Sequence, residues 1–197
     1  MNTLKAEKRS MDVKAKKLRR EGFVTGNLFG REIEGSIPLK FTKKEIEVLL
    51  KNNNKGSQVM LELDGKTYDA LIKEVDYNPL AHTVEEVDFQ ALVSNEMVHS
   101  TAEIILENEE KVMSGVLQDE LKEVAYKAVP ADLVDKIKVD VAGMKIGDTL
   151  RVKDLEIAKN KNIHITTDPE AVVATVTPVH NVVPETETEA EETAEEK

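Results

Sequence analysis

The chain has no cysteine and no tryptophan among its 197 residues. Without cysteine there can be no disulfide scaffold, no thiolate zinc site and no thiol catalysis, which fits a reducing compartment. Aromatic residues make up only 4%, so any core rests on Val, Leu and Ile. No apolar run approaches the roughly 18 residues that span a bilayer, and the opening MNTLKAEKRS lacks the apolar segment of a secretory signal. The expectation is a soluble, intracellular protein of one or two domains, each able to bury a core.

Motifs for chemistry are also missing. His82, His99, His164 and His180 lie far apart, without neighbours at metal-ligand spacing. Gly22, Gly26 and Gly30 lack the spacing and context of a dinucleotide-binding loop. Glu85, Glu86 and Asp88 gather carboxylates on one segment, but no nucleophile or oxyanion-hole motif accompanies them. Binding is expected rather than catalysis, with no cofactor, no metal and no small-molecule substrate.

Charge is abundant and unevenly spread. The formal net charge is −11. Residues 1–93 carry 16 basic and 15 acidic residues, residues 94–183 carry 10 and 16, and residues 184–197 carry one and seven. Within residues 1–20, eight cations face only Glu7 and Asp12. A basic surface acts within about a Debye length, roughly 8–10 Å, so it survives a negative total. The densest run is Lys14, Lys16, Lys17, Arg19 and Arg20, leading through Gly22 and Gly26 into Phe23, Val24, Leu28 and Phe29. It reads either as a solvated basic stretch before a first buried strand or as a surface for a phosphate backbone.

Along the chain, residues 1–20 read as an early strand or a loop-like arm. Strand spacing follows over 23–29 and again across Ile33, Ile37 and Leu39. Thr42 and Glu45 form a capping box before Ile46, Leu49 and Leu50, which predicts a short helix. Asp64-Gly65 marks a hairpin between 59–63 and 67–72, Asn78-Pro79 a turn, and 84–92 a last strand. One helix among several short strands predicts a mostly β protein: a small N-terminal β-barrel with one or two short helices over residues 1–93. Alternation at 102–106, 124–128, 137–141, 149–152, 163–165 and 171–176 predicts a second β-rich domain over 94–183. One helical turn is expected at Pro130. The acidic stretch 184–197 has no core-forming residues and is expected to be disordered.

The order of short motifs points further. LKAEKR (4–9), KKLRREG (16–22) and GNLFG (26–30) are followed by IKEVDYNP (72–79) and VDF (87–89). In the second half, SGVL (114–117), VPADL (129–133), IGD (146–148) and Asp154-Leu155 continue the series. This order resembles the bacterial large-subunit ribosomal protein twenty-five family, in the long two-domain form known as general stress protein CTC.

The resemblance implies a barrel that binds 5S ribosomal RNA at its loop E, in the cytoplasm and on the ribosome. Its RNA-binding residues would be Lys8, Arg9, Lys14, Lys16, Lys17, Arg19, Arg20, Phe29, Asp76, Glu86 and Asp88. Residues 94–183 would face neighbouring ribosomal proteins, and no membrane is involved. Three positions depart from the family's pattern. Phe29 stands where a tyrosine is usual, Thr25 where proline is common, and Glu86 where histidine commonly precedes V-D-F. The alternative is a divergent stress-related paralogue whose RNA binding has weakened and which acts as a protein–protein module.

Overall fold

The computed structural model describes residues 3–112 and 115–178. The first half comprises β1 (Thr3–Lys8), α1 (Ala15–Arg20), β2 (Phe23–Phe29), β3 (Ser36–Thr42), α2 (Lys43–Asn52), β4 (Gln58–Leu63), β5 (Lys66–Asn78) and β6 (Thr83–Ala91). Its strands close into a barrel in the order β1-β3-β2-β6-β5-β4, with β1 parallel to β4 at the seam. Closure removes every sheet edge. β4 shows the alternation that fills the barrel: Val59, Leu61 and Leu63 are buried, while Gln58, Met60 and Glu62 between them are partly exposed. Val24, Leu28, Leu39, Phe41, Val87 and Phe89 join them inside, and the Phe41 and Phe89 rings pack at 5.4 Å between centroids with their planes tilted by 55°.

The expected capping box on α2 is present. The Thr42 side chain accepts from the Glu45 N–H, and Glu45 reaches back to the Thr42 N–H. Ile46 and Leu49 face the barrel core and are buried. Because the cap satisfies donors that the first turn leaves open, Thr42→Ala is expected to cost about 1 kcal/mol in denaturant unfolding. The hairpin between β4 and β5 turns on Asp64 and Gly65, both at positive φ (50° and 77°), as its Asp-Gly dipeptide predicts.

Residues 3–20 are more ordered than a loop-like arm. The expected strand forms, and α1 follows it. Six residues with one buried apolar side chain, Leu18, carry no readable helical period. α1 is held by Leu18 and stops at Gly22, whose φ of +89° ends it.

The second half is β-rich as expected: β7 (Val98–Glu107), β8 (Val116–Asp119), β9 (Glu123–Ala128), β10 (Lys136–Asp140), β11 (Thr149–Arg151), β12 (His164–Ile165) and β13 (Val172–Thr177). They form two sheets, β10-β7-β9-β12 and β11-β13-β8. β8 was invisible to periodicity because only Leu117 in it is even partly buried. The expected helical turn at Pro130 is a 3-10 turn, Pro130–Asp132. Between the sheets, Tyr126 is fully buried, and its hydroxyl both donates to the Val134 carbonyl and accepts from the Val134 N–H. Among the described residues no helix is long and apolar enough to cross a membrane. The acidic stretch 184–197 lies outside the described residues.

Candidate nucleic-acid interface

Three neighbouring strands, β2, β6 and β5, turn a polar face outward. Their alternation puts Val24, Leu28, Val87 and Phe89 inside, so Thr25, Asn27, Phe29, Glu86, Asp88 and Gln90 face out. Register aligns these residues in rows across the barrel. One row runs Lys40, Thr25, Glu86, Asp76. The next runs Pro38, Asn27, Asp88, Glu74. The third runs Ser36, Phe29, Gln90, Leu71.

The rows are cross-linked. Asp88 Oδ1 accepts from the Asn27 backbone N–H at 2.9 Å and from its side-chain amide at 3.0 Å. Both bonds fall on one oxygen, which leaves Oδ2 for a donor from outside. Glu86 is more fully used: Arg19 reaches its Oε2 at 3.3 Å, and Asn27 reaches its Oε1 at 3.3 Å. Arg19 also contacts Glu85, through its carboxylate at 2.8 Å and its backbone carbonyl at 3.2 Å. Asn78 donates to the other Glu85 oxygen at 2.7 Å. Thr25 is fully buried and donates to the Glu85 carbonyl. A proline there would have no hydroxyl, so this departure adds a tie between β2 and β6.

The Arg19 contacts fix where α1 sits: its C-terminal turn lies over the start of β6. Leu18 and Arg19 face the barrel, while Lys16, Lys17 and Arg20 are exposed on the outer side. Lys17 lies 3.9 Å from Glu21, and Lys14, Lys16 and Arg20 make no ion pair among the described residues.

The eleven residues expected at the site therefore divide. Arg19, Glu86 and Asp88 come together, and Asp76 stands opposite Glu86. Lys14, Lys16, Lys17 and Arg20 flank them on α1. Phe29 lies on the same face, further along β2. Lys8 and Arg9 are separated from it, because β1 lies across the barrel from β6. Lys8 pairs with Asp64 at 2.6 Å, and the Arg9 guanidinium donates to the Val13 carbonyl. Arg19, expected as a phosphate contact, spends its charge on two carboxylates.

Sequence reasoning passed over Asn27 and Lys40, read Asn78 only as part of a turn, and read Glu85 only as one of three clustered carboxylates. Lys40 sits 5.0 Å over the Phe23 ring and pairs with Glu7 at 2.8 Å. Only period-2 alternation within 23–29 and 36–42 hinted that Asn27 and Lys40 face outward. Among the described residues no group of acidic or histidine side chains is placed to hold a metal ion.

Comparison with known proteins gives two family matches: the ribosomal L25p family over residues 4–89, and the C-terminal domain of ribosomal protein TL5 over residues 97–180. Relatives match along most of the chain. The large ribosomal subunit protein bL25 of Bacillus velezensis is 31% identical over 183 residues, covering 90% of this chain and 89% of the relative. The protein of that name from Caldanaerobacter subterraneus subsp. tengcongensis is 30% identical over 196 residues, covering 98% of each. That from Carboxydothermus hydrogenoformans is 31% identical over 190 residues, covering 92% and 94%.

Proposed function

The chain belongs to the ribosomal L25p family, in its two-domain form, and on that footing we propose that it binds 5S rRNA at loop E through its β2–β6–β5 face. The family's members are structural constituents of the large ribosomal subunit, and the protein is not an enzyme. On this reading it works in the cytoplasm on the ribosome. Residues 1–93 hold the RNA, and residues 94–183 face neighbouring ribosomal proteins.

The observation that carries the reading is a row of exposed cations beside a face of hydrogen-bond acceptors. Arg19 fastens α1 to β6, so Lys16, Lys17 and Arg20 stand at the rim of the face that holds Asp88. A-form RNA offers a wide, shallow minor groove that a sheet can lie against. Guanine presents its 2-amino group there as a donor, and ribose hydroxyls donate beside it. The open Oδ2 of Asp88 suits such donors, and the rim cations suit the flanking phosphates, which position the protein.

Titrating the purified chain against a loop-E hairpin and a scrambled hairpin, at several salt concentrations, tests this. Specific, saturable binding that weakens steeply with salt is expected. The triple variant Lys16→Ala, Lys17→Ala, Arg20→Ala is expected to flatten the log–log salt slope by about 1 per lost phosphate contact, with little change in melting temperature. Equal, weak binding to both hairpins would overturn the reading. It would leave the paralogue that keeps the barrel and engages proteins instead.

A further inference from the structure

The second half of the chain meets β5 at an irregularity. Ile72 pairs with Phe89 and Glu74 with Asp88, so Lys73 is an extra residue with no partner on β6. A β-bulge of this kind bends its strand, raises the local twist and re-aims side chains. This one lies across from the step between Asp88 and Phe89, and Asp88 is the acceptor whose Oδ2 the polar face leaves open.

The bulge is tied from both halves of the chain. On the barrel side, the Gly56 N–H donates to the Ile72 carbonyl at 2.8 Å and the Ile72 N–H to the Ser57 carbonyl at 2.9 Å, which seats the residue just before it. From the other side, the Lys73 ammonium donates to the carbonyl of His99, on β7, at 2.8 Å. β7 is pressed close here. Gly56 has φ +89°, and a Cβ on it would fall 1.9 Å from the Thr101 carbonyl oxygen. Ser100 donates to the Gly56 carbonyl at 3.4 Å. Leu71 belongs to neither core cluster, yet it is fully buried, at a cleft it lines with Gly56, His99, Ser100 and Thr101.

Charge does not explain why the Lys73 ammonium lies there. Burial, and then the neighbouring Lys55, hold it below the usual lysine range. Its partner is a neutral carbonyl, and it makes no ion pair among the described residues. Geometry explains it better. If Lys73 were drawn into the ladder, the pairing of β5 with β6 would slip by one residue, and a slip of one exchanges the two faces of a strand. Glu74 would no longer stand opposite Asp88, nor Asp76 opposite Glu86, as they do now.

We propose that Lys73 is a positioning residue for the RNA face: through its bond to His99, the second half of the chain clamps the β5 bulge and so sets the direction of the Asp88 carboxylate, without itself touching RNA. The proposal rests on the RNA-binding reading above. It gives residues 94–183 an inward task, which is to hold the acceptor rows of the barrel in register.

The test uses the full chain and the loop-E hairpin with its flanking stems. Lys73→Met is expected to weaken binding about tenfold, the scale of one base contact, and to leave the log–log salt slope unchanged, because no phosphate contact is lost. The Asn27 backbone and side-chain amide resonances, which report on the Asp88 carboxylate they bond, are expected to shift. Lys73→Arg keeps the donor and is expected to restore both affinity and resonances. Gly56→Ala disturbs the same seating with no change of charge, so its loss of affinity should also come without a change in slope. If the wild type binds the hairpin specifically and a folded Lys73→Met protein binds equally well, the positioning role is overturned and the barrel site stands. A loss accompanied by a slope flattened by about 1 overturns it too, since Lys73 would then be a phosphate contact. If the wild type fails to distinguish the hairpin from its scrambled control, the RNA-binding reading falls and this inference falls with it.

Discussion

Gly26→Ala is expected to lower the melting temperature of the barrel by about 15 °C and to weaken RNA binding by more than about tenfold. β2 and β6 run so close at this level that an ideal Cβ on Gly26 would fall 2.0 Å from the Val87 carbonyl oxygen and 3.3 Å from the Phe41 ring. The first contact is with backbone, so the strands themselves must part. Overpacking of this kind costs about 1–3 kcal/mol, and backbone against backbone belongs at the top of that range. In a domain of this size each kcal/mol moves the midpoint by about 4–8 °C. The loss at the site follows from position. Thr25 and Asn27 flank Gly26 and carry the bonds to Glu85, Glu86 and Asp88, so separating the strands pulls acceptor row and amide row apart. Gly143 supplies the control. A Cβ there meets nothing within 4 Å, so Gly143→Ala should stay within about 0.5 kcal/mol of wild type. A Gly26→Ala protein that melted with the wild type would show that β2 and β6 have slack here, and that the site's geometry does not depend on their closeness.

What could be read ahead of the structure was local. The capping box at Thr42 and Glu45, the Asp64-Gly65 turn and the alternation in β4, β7 and β9 each declare themselves within a few residues. Two β-rich halves follow from counting such segments. What local reading missed was non-local. Arg19 looks like a free cation until Glu85 and Glu86, 66 and 67 positions away, are brought beneath it. Lys8 looks equally free until the hairpin tip delivers Asp64. Strand order decides both, and periodicity does not encode strand order. The same holds for Lys73, because a bulge shows only once both partner strands are known. Glu86 taken alone reads as a loss of RNA affinity. In place, it is half of a strut that orients α1, and the repulsion it brings is partly cancelled by the guanidinium it holds.

That strut leads to the second large effect: Glu85→Gln plus Glu86→Gln is expected to tighten binding to a loop-E hairpin about tenfold, near 1.4 kcal/mol, and to steepen the salt slope by about 1. On the proposed binding mode two carboxylates stand where phosphates would approach, and together they hold the Arg19 guanidinium. Glutamine removes both charges and frees Arg19 for a phosphate, while its amide oxygen still accepts from Asn78 and Asn27 as the carboxylates do now. The cost to the fold is small. The paired side chains are 31–35% exposed, and ion pairs this open to solvent contribute about 0–1 kcal/mol each. Arg19→Ala separates the two roles of the strut. In the wild-type background it removes a cation already neutralised, so affinity should fall only as far as α1 loosens. In the double-glutamine background it should cancel the gain. If the folded double variant bound no tighter than wild type, the charge of Glu86 would be an asset at the interface, accepting from base amino groups alongside Asp88. The departure at position 86 would then be a change in what the face reads rather than a weakening of how it holds.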